Sequence, residues 1–419
     1  MSLRFSAADA AEWRQNWKVV FAAACGFALM NLPPHSIGIF IAPLEAEFGW
    51  KRSIIASGLM FTAGASVLLG PVVGTAVDRF GSRRIALTGS IFVCATFASF
   101  STINEDPWSW LMLWALLACS FVMIMPMVWG AAISSLFKSS RGFALAVALC
   151  GTAVTSATLP LISTIFIQDY GWRAAFAGIA ALYAVIVIPA VFLFFTSAID
   201  RARAAPEVEV KVESALPGLG AREAILSFRY LRLILASTAM VAVPSVTSSI
   251  IPIMTSFNHS PMQAAAIASL IGVAGFVGRI SAGYLIDRVN GNVVAAACMT
   301  MPIAGILLML EMPHSVAAFA AAAIIMGTCV GAELDAVAFL TTRHFGLRSF
   351  ALLLAIISAL QFVCMAAGPI ALNYAFDVTG SYRQGMWSAI PICAVGAVLF
   401  FTLGKYRFTE GHVEGGGHG

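Results

Sequence analysis

The chain has 419 residues, of which 60% are hydrophobic and only 11% are charged. Water-soluble domains carry roughly 25% charged residues, so this composition excludes an ordinary soluble protein and indicates a polytopic membrane protein. We interpret the small net charge of +4 as a mark of membrane topology, and no nucleic-acid partner is expected.

Apolar runs long enough to cross a bilayer, which takes about 20 helical residues, recur twelve times along the chain. The sequence therefore predicts an all-α polytopic fold with twelve transmembrane helices, six in each half. The runs lie near residues 17–42, 53–77, 84–103, 108–133, 142–168, 173–196, 231–256, 262–286, 293–312, 316–340, 349–372 and 385–404.

The two sets of six runs are expected to form separate bundles, over residues 1–197 and 231–407. The polar, proline-containing segment 198–230 is predicted to link the bundles in the cytoplasm. The glycine- and histidine-rich segment 408–419 is predicted to be a disordered tail. The eight cysteines show no paired ligand spacing, so neither a metal nor another cofactor is expected.

Lys and Arg residues favour the cytoplasmic side of a membrane. Most of the 24 Lys and Arg residues fall in segments that are cytoplasmic if the N-terminus is inside, so both termini are predicted to lie in the cytoplasm. The first apolar run is too long for a signal-peptide core and is expected to remain as a helix. We expect a monomer in the lipid bilayer of the inner or plasma membrane.

One short segment occurs twice, once in each half. Gly74 to Arg79 reads Gly-Thr-Ala-Val-Asp-Arg, and Gly283 to Arg288 reads Gly-Tyr-Leu-Ile-Asp-Arg. Because an Asp-Arg pair is costly in lipid, each pair is predicted to mark the water-facing end of a helix. Each glycine is predicted to let two helices approach closely. Such internal symmetry is typical of transporter folds.

The stretch from Gly70 to Arg84 resembles the loop between helices 2 and 3 of the major facilitator superfamily. The resemblance implies two pseudo-symmetric six-helix bundles around a central cavity that opens to each side in turn. The two Asp-Arg loops resemble the cytoplasmic latch of that superfamily, although solvated turns would have the same sequence. With Asp335 of helix 10 and Arg343 just beyond it added, the predicted latch and gating residues are Asp78, Arg79, Arg83, Asp287, Arg288, Asp335 and Arg343.

Two further segments resemble the monocarboxylate porter family and its relatives, the oxalate–formate exchangers. One runs from Leu32 to Phe40 and continues from Pro43 to Trp50, and the other runs from Gly278 to Gly283 in helix 8. The resemblance implies that helix 8 carries a substrate-binding arginine, which is Arg279 in this chain. A small carboxylate is therefore the expected substrate.

The chain departs from that family at three positions. His35 stands where the animal porters have a lysine, and Gly275 stands where they have an aspartate. The lysine that the oxalate exchangers carry in helix 11 falls near Gln361. The charged groups around the substrate are therefore expected to differ from those of the family.

Arg279 lies eight residues before Asp287, which places it roughly 12 Å from that end of the helix. An arginine at the centre of a membrane costs at least about 2.5–3.5 kcal/mol, so it is expected to face a wet cavity and to have a partner. One interpretation is a guanidinium that binds an anionic substrate through two parallel hydrogen bonds. The alternative is a fixed salt bridge to a nearby carboxylate.

His35 follows the pair Pro33-Pro34 in the outer half of helix 1, where the prolines are predicted to disrupt the helical hydrogen bonding. A histidine near its reference pKa of ~6.5 can gain or lose charge in the physiological range. His35 is therefore a candidate both for contact with the anion and for proton transfer. The alternative is a packed, hydrogen-bonded histidine.

Helix 10 contributes Glu333 and Asp335, which lie about 200° apart around the helix and cannot both face a cavity. Glu333 is a candidate partner of Arg279 or a proton carrier, because no acid stands at Gly275. Either acid could instead pair with Arg343 or Arg348 as a gate. The polar residues predicted to complete the lining, unless they bond their own backbone, are Asn31, Ser245, Ser248, Ser249, Gln361 and Asn373.

These residues predict a secondary active transporter of small organic monocarboxylates, working by alternating access as a proton symporter. Proton coupling is expected because co-transport of one proton cancels the cost of moving an anion against the membrane potential. An anion exchanger of the oxalate–formate type and a non-transporting sensor on the same fold remain as alternatives. A membrane enzyme is not expected, because the histidines are scattered and no His-Glu-x-x-His motif occurs.

Overall fold

The structure is a computed structural model that describes residues 7–137, 140–197, 200, 218–286, 288–346 and 349–408. Within these residues the regular structure is helical, apart from one isolated bridge between Gly218 and Gly346. The α-helices are α1 Ala7–Phe48, α2 Arg52–Ala56, α3 Gly58–Phe80, α4 Ser82–Ser99, α5 Pro107–Phe121, α6 Pro126–Leu136, α7 Arg141–Phe194, α8 Ala221–Ile225, α9 Phe228–Ala239, α10 Ala242–Ser248, α11 Ile250–Ser256, α12 Pro261–Ile286, α13 Gly291–Glu311, α14 Val316–Phe345, α15 Phe350–Thr379 and α16 Arg383–Phe401. Short 3₁₀ turns follow α4 at Phe100–Thr102 and α5 at Val122–Ile124.

Eleven helices in the described part of the chain are long and apolar enough to cross a membrane. The longest, α7, has 54 residues and would extend about 81 Å as one helix, against roughly 30 Å for a bilayer core. Its backbone is non-helical at Gly171, where φ is 82° and ψ is 163°. A positive φ suits glycine because it has no Cβ. Since α7 therefore comprises two spans, the all-α polytopic fold with twelve spans is confirmed.

Helix α1 passes through Pro33, Pro34 and Pro43 without a break. The helix is therefore continuous through the pair. The two prolines still supply no N–H for the helical hydrogen bonds to the carbonyls one turn earlier, so the predicted disruption is confined to the hydrogen bonding. Side chains next to the pair bond to the backbone, since Ser36 Oγ donates to the carbonyl oxygen of Pro33 at 2.8 Å.

Two compact units form, and neither is one half of the sequence. Unit 1 comprises Met1–Glu209, Ser248–Val273 and Pro369–Tyr382. Unit 2 comprises Val210–Thr247, Ala274–Gly368 and Arg383–Gly419. Unit 1 thus includes two segments from the second half of the chain. The predicted division into bundles 1–197 and 231–407 with linker 198–230 stays a prediction. The predicted tail 408–419 lies outside the described residues, except Phe408.

Unit 1 has an aromatic core. Phe40 and Phe176 stack with ring centroids 3.8 Å apart, and Phe100 meets the same Phe176 ring at 5.4 Å. Trp110 packs edge-on against Phe100 at 5.0 Å. These rings join α1, the 3₁₀ turn after α4, α5 and α7, and they fix the position of α1 in this unit.

Unit 2 contains a seam of glycines where α12 crosses α14. A Cβ at Gly331 would lie 1.9 Å from the carbonyl oxygen of Gly275, and a Cβ at Gly278 would lie 2.1 Å from that of Thr328. The two backbones are therefore in contact, as small residues permit in membrane helices. The prediction that Gly74 and Gly283 serve this purpose is wrong, because a Cβ at either position would meet nothing within 4 Å.

Candidate functional site

His35 is held by groups from two helices of unit 1. Its Nδ1 lies 3.2 Å from the backbone oxygen of Asn31, one turn earlier in α1, and its Nε2 lies 3.1 Å from Ser156 Oγ in α7. The side-chain amide of Asn31 donates to Ser156 Oγ at 2.8 Å and to the backbone oxygen of Thr152 at 2.9 Å. The predicted residues Asn31 and His35 therefore belong to one network, which also contains Ser156 and Thr152.

The hydroxyl of Ser156 has one proton and two acceptors within reach, Thr152 O at 3.0 Å and His35 Nε2 at 3.1 Å. A backbone oxygen only accepts, so we assign a proton to His35 Nδ1 facing Asn31 O. In neutral His35, Nε2 accepts from Ser156. In protonated His35, Nε2 donates to Ser156 Oγ, and the hydroxyl turns to Thr152 O. The charge state of His35 therefore sets the orientation of the Ser156 hydroxyl.

Other residues predicted to line the site bond to nearby backbone. Ser245 Oγ donates to Val241 O at 2.7 Å, and Asn373 Nδ2 donates to Pro369 O at 2.8 Å. Ser248 lies in unit 1 with His35, and its carbonyl oxygen would be 2.3 Å from a Cβ at Gly38. These contacts match the alternative that short polar residues satisfy their own or a neighbouring helix.

Arg279 lies in unit 2, inside the candidate membrane span Pro261–Ile286. Its side chain is half-buried. The preceding residue, Gly278, is pressed against the backbone of Thr328 in α14. Successive residues of a helix lie about 100° apart, so the glycine seam fixes the rotation of α12 and with it the direction in which Arg279 leaves the helix.

Glu333 accepts a hydrogen bond from Gln361, also in unit 2. Gln361 Nε2 lies 3.1 Å from Glu333 Oε1 and 3.1 Å from the backbone oxygen of Ser237. Gln361 is buried at 8% exposure, and it joins α15 to α9 and α14. Within the described residues, no Lys, Arg or His nitrogen forms an ion pair with Glu333. A direct salt bridge between Glu333 and Arg279, one of the predicted roles of Glu333, is therefore not formed among the described residues.

A third cluster lies in unit 1 where α1 ends and α2 begins. Asp377 accepts from the backbone N–H groups of Arg52 at 3.1 Å and Ser53 at 2.9 Å. The Arg52 guanidinium bonds Glu45 Oε2 at 2.8–2.9 Å and Tyr382 Oη at 3.1 Å. We call the set Glu45, Arg52, Asp377 and Tyr382 the end cluster.

Aromatic rings close the end cluster. The Arg52 guanidinium carbon lies 3.8 Å from the centroid of the Phe376 ring, a strong cation–π geometry. Tyr382 Oη donates to Asn373 Oδ1 at 2.7 Å. Burial raises the pKa of Tyr382 to about 12, so its hydroxyl keeps its proton at physiological pH. The cluster therefore ties α15 to the α1–α2 corner by charge, hydrogen bonds and stacking together.

Comparison with known families settles the class of protein. Residues 19–351 match the description of the Major Facilitator Superfamily, which is more than half of the chain. The chain belongs to the major facilitator superfamily. With its twelve spans, this superfamily member is a multi-pass membrane protein of a transporter family.

Relatives of this superfamily member cover nearly its full length at low identity. It is 25% identical to monocarboxylate transporter 13 of Bos taurus, over 92% of this chain and 89% of the relative. It is 22% identical to an MFS-type transporter of Gibberella moniliformis, over 95% of this chain and 92% of the relative. A bacterial homologue of the human lysosomal transporter Spinster, solved in an inward-facing and unoccupied conformation, has a TM-score of 0.70 at 16% identity, over 92% and 96% of the two chains. That likeness shows the fold.

The predicted superfamily latch is only partly described. Asp287, and the side chains of Asp78 and Asp335, lie outside the described part of the structure. Arg288 lies over the Tyr284 ring at 4.0 Å, and Arg343 over the Phe339 ring at 5.0 Å. Arg79 similarly lies 5.4 Å from the Phe80 ring. Gating by these residues stays a prediction.

Two groups of residues were missed from the sequence. Thr152 and Ser156 are short polar residues inside an apolar run and gave no separate signal, yet Ser156 bonds His35 and the Thr152 carbonyl oxygen lies within reach of the Ser156 hydroxyl. The end cluster gave no local signal, since Arg52 and Asp377 are 325 positions apart. An acid following an apolar run, as Asp377 does, was the only available hint.

Proposed function

We propose that this superfamily member transports small organic monocarboxylates together with protons. The observation that carries the proposal is Arg279, a permanent cation inside a membrane span. A planar guanidinium matches the two oxygens of a carboxylate. The names of the relatives in Bos taurus and Rattus norvegicus, both monocarboxylate transporter 13, support this substrate class.

Charge balance favours a proton as the coupled ion. Moving one anion into an inside-negative cell costs ~2.3 kcal/mol per 100 mV, and one accompanying proton removes that cost. One permanent cation, Arg279, together with the titratable His35 suits a monoanion better than a dianion, which would need two permanent charges for compensation. The transported unit is therefore one carboxylate and one proton, taken up on one side and released together on the other.

Two groups are positioned to hold the proton. Glu333 is bonded by the neutral amide of Gln361, and among the described residues no cation pairs with it to fix its ionised form. His35 has a hydroxyl partner, Ser156, that accommodates either charge state. We assign the coupled proton to Glu333 and contact with the substrate anion to protonated His35. Asn31, Ser248 and Gln361 are proposed to complete the polar lining, with Asn31 and Gln361 bracing these two groups.

The end cluster is proposed to be the extracellular gate of the alternating-access cycle. Opening this end of unit 1 requires the Asp377 carboxylate to leave two backbone N–H groups and the Arg52 guanidinium to leave its stacking position. Water and the arriving anion replace those contacts in the open form. The predicted latch at Asp78, Arg79, Arg83, Asp287, Arg288, Asp335 and Arg343 is the corresponding cytoplasmic element.

Uptake by proteoliposomes tests the function. The purified protein is reconstituted, an acid-outside pH gradient is imposed, and labelled short monocarboxylates are offered with dicarboxylates and amino acids as controls. The proposal predicts accumulation of monocarboxylates and alkalinisation of the outer medium. Accumulation that requires an internal counter-anion without proton movement would establish exchange instead. Substrate binding without flux would establish a sensor.

A further inference from the structure

A groove in unit 1 contains Arg83 of the predicted latch and lies apart from the residues proposed to bind the substrate and the proton. It is formed where α3 ends, α4 begins and α7 ends, and its volume is about 370 Å³. The lining residues are Phe80, Arg83, Arg84, Leu87, Phe192 and Asp200. The candidate spans Arg52–Val77, Ser82–Thr102 and Phe143–Phe194 end or begin here, so the groove lies at the border between the membrane and water.

The groove combines cations with exposed apolar walls. Phe80 and Phe192 are 44% and 53% exposed, and Arg84 is exposed. No carboxylate of the described residues forms an ion pair with Arg83 or Arg84. Farther along α4, Ile91 and Phe92 continue the exposed apolar surface at 44% and 57%. A molecule with an anionic head and long apolar chains matches this order of groups.

The one acid among the described residues that line the groove is already engaged. Asp200 accepts from Ser197 N at 2.8 Å, from Ser197 Oγ at 2.7 Å and from the backbone N–H of Arg83 at 3.2 Å. This carboxylate thereby occupies the N-terminus of α4. An incoming anion must therefore be recognised by the two guanidinium groups and not by the helix end.

Arg83 is held in place for such a role. Its guanidinium donates to the backbone oxygen of Phe192 and lies 5.6 Å from the centroid of the Phe192 ring. A guanidinium has five donors in a planar fork, so the bond to Phe192 leaves others for a ligand. Arg84, one residue on, adds a second charge from α4.

The second half of the chain provides an internal comparison. In the repeated loop, Asn292 and Val293 stand at the positions of Arg83 and Arg84. Asn292 donates to Gly404 O at 2.8 Å and lies 3.1 Å from His344 Nε2, so that loop closes on protein groups. The loop itself therefore does not require two arginines, and Arg83 and Arg84 serve a role that is particular to the first repeat.

We propose that this groove binds the phosphate of an anionic phospholipid, with Arg83 and Arg84 on the headgroup and Phe80, Leu87 and Phe192 along the acyl chains. Basic pockets between membrane helices commonly bind such headgroups. A free inorganic anion would use the arginines but would leave the aromatic walls uncovered. Lipid occupancy would join α4 to the end of α7 and stabilise this corner of unit 1.

Thermal stability of the purified full chain tests the proposal. Phosphatidylglycerol, phosphatidylcholine and inorganic phosphate are titrated against the wild type, Arg84→Gln and the control Arg222→Gln, which removes another exposed arginine. Phosphatidylglycerol is expected to stabilise the wild type and Arg222→Gln with equal midpoints. For Arg84→Gln the phosphatidylglycerol concentration that gives half of the stabilisation is expected to rise about fivefold, because one basic residue near an anionic lipid contributes ~1 kcal/mol to binding.

Three results overturn the proposal. These are an unchanged midpoint in Arg84→Gln, equal stabilisation by phosphatidylcholine, or equal stabilisation by inorganic phosphate, which would mean a free-anion site. If Arg84→Gln does not fold, a photoactivatable phosphatidylglycerol is cross-linked to the wild-type chain. Adducts in Arg84–Phe92 and at Phe192 support the site, and adducts confined to other helices contradict it.

Discussion

Gln361 donates a hydrogen bond to Glu333 across 3.1 Å, and its amide also reaches the backbone of Ser237. The acid proposed to carry the proton is therefore fixed by a neutral partner that two other elements of unit 2 hold in place. A neutral donor permits both the protonated and the ionised carboxyl group, whereas a fixed cation would favour ionisation alone. This pair gives the proposed coupling its sharpest test.

Glu333→Gln is expected to retain exchange of labelled for unlabelled monocarboxylate and to lose uphill accumulation driven by a pH gradient. Exchange needs no net proton release, whereas accumulation does. Both activities are measured on the same proteoliposomes. Glu311→Gln, an exposed acid at the end of α13, is the control and should leave both intact. Normal accumulation by Glu333→Gln would move the proton to His35 and make Glu333 a structural or gating residue.

Arg279→Lys is expected to fold and to lose most substrate binding. Lysine keeps the charge but cannot form two parallel bonds to one carboxylate. Loss of one hydrogen bond to a charged group costs about 1.5–3 kcal/mol, so affinity should fall roughly tenfold to more than a hundredfold. Binding is measured by substrate-dependent thermal stabilisation, with Arg232→Lys as the control. Near-normal affinity in Arg279→Lys would leave only a structural role for the guanidinium.

His35→Lys is expected to keep substrate binding and to extend it to higher pH. Lysine has a reference pKa of ~10.4 and stays charged where histidine, at ~6.5, loses its proton. Binding is measured from pH 5.5 to 8.5 for both proteins. His35→Gln, which can bond Ser156 but is never charged, should bind weakly at every pH. Equal pH profiles for wild type and His35→Lys would show that the charge of His35 does not contact the anion.

Asp377→Ala is expected to favour the form that is open at the end cluster. It removes two hydrogen bonds from the α2 backbone and one carboxylate beside Arg52, a loss of roughly 1.5–3 kcal/mol. A cysteine at Ser249, which lines the collapsed space beside Gly38 and Asn373, reports the opening. Its labelling by an impermeant maleimide should rise about tenfold.

The matched control for that experiment is Asp169→Ala, which removes an exposed acid beside the break at Gly171. It should leave the labelling rate of the cysteine unchanged. The parent chain without the Ser249 substitution gives the background from the natural cysteines. Equal labelling in Asp377→Ala and in Asp169→Ala would exclude the end cluster as a gate.

Hydropathy alone predicted the twelve spans, because an apolar helix in lipid satisfies its own backbone and needs no partner to be recognised. Side-chain roles could be predicted only for residues whose placement inside the membrane costs free energy. Arg279 and Glu333 were found in this way, since an ionisable side chain in a membrane span usually has a functional role. Gln361 entered through family resemblance and was placed next to Glu333 by the fold.

Hydrogen-bond partners could not be predicted when they are common polar residues that lie far away in the sequence. Ser156 is one hydroxyl among many, and its contact with His35 depends on how α1 packs on α7. The same limit explains the error at Gly74 and Gly283. A glycine permits close approach of helices but does not cause it, and the actual seam uses Gly275, Gly278 and Gly331, where the neighbouring helix happens to lie.

The contact between Gly275 and Gly331 restricts how this chain could exchange helices with its relatives. At position 275 a Cβ would lie 3.4 Å from the carbonyl oxygen of Gly327, an ordinary contact, whereas at position 331 a Cβ would lie 1.9 Å from the carbonyl oxygen of Gly275. A side chain at position 331 would therefore force α12 and α14 apart. A chimera that takes α14 from another porter has to keep a glycine at position 331 if α12 is to pack against it.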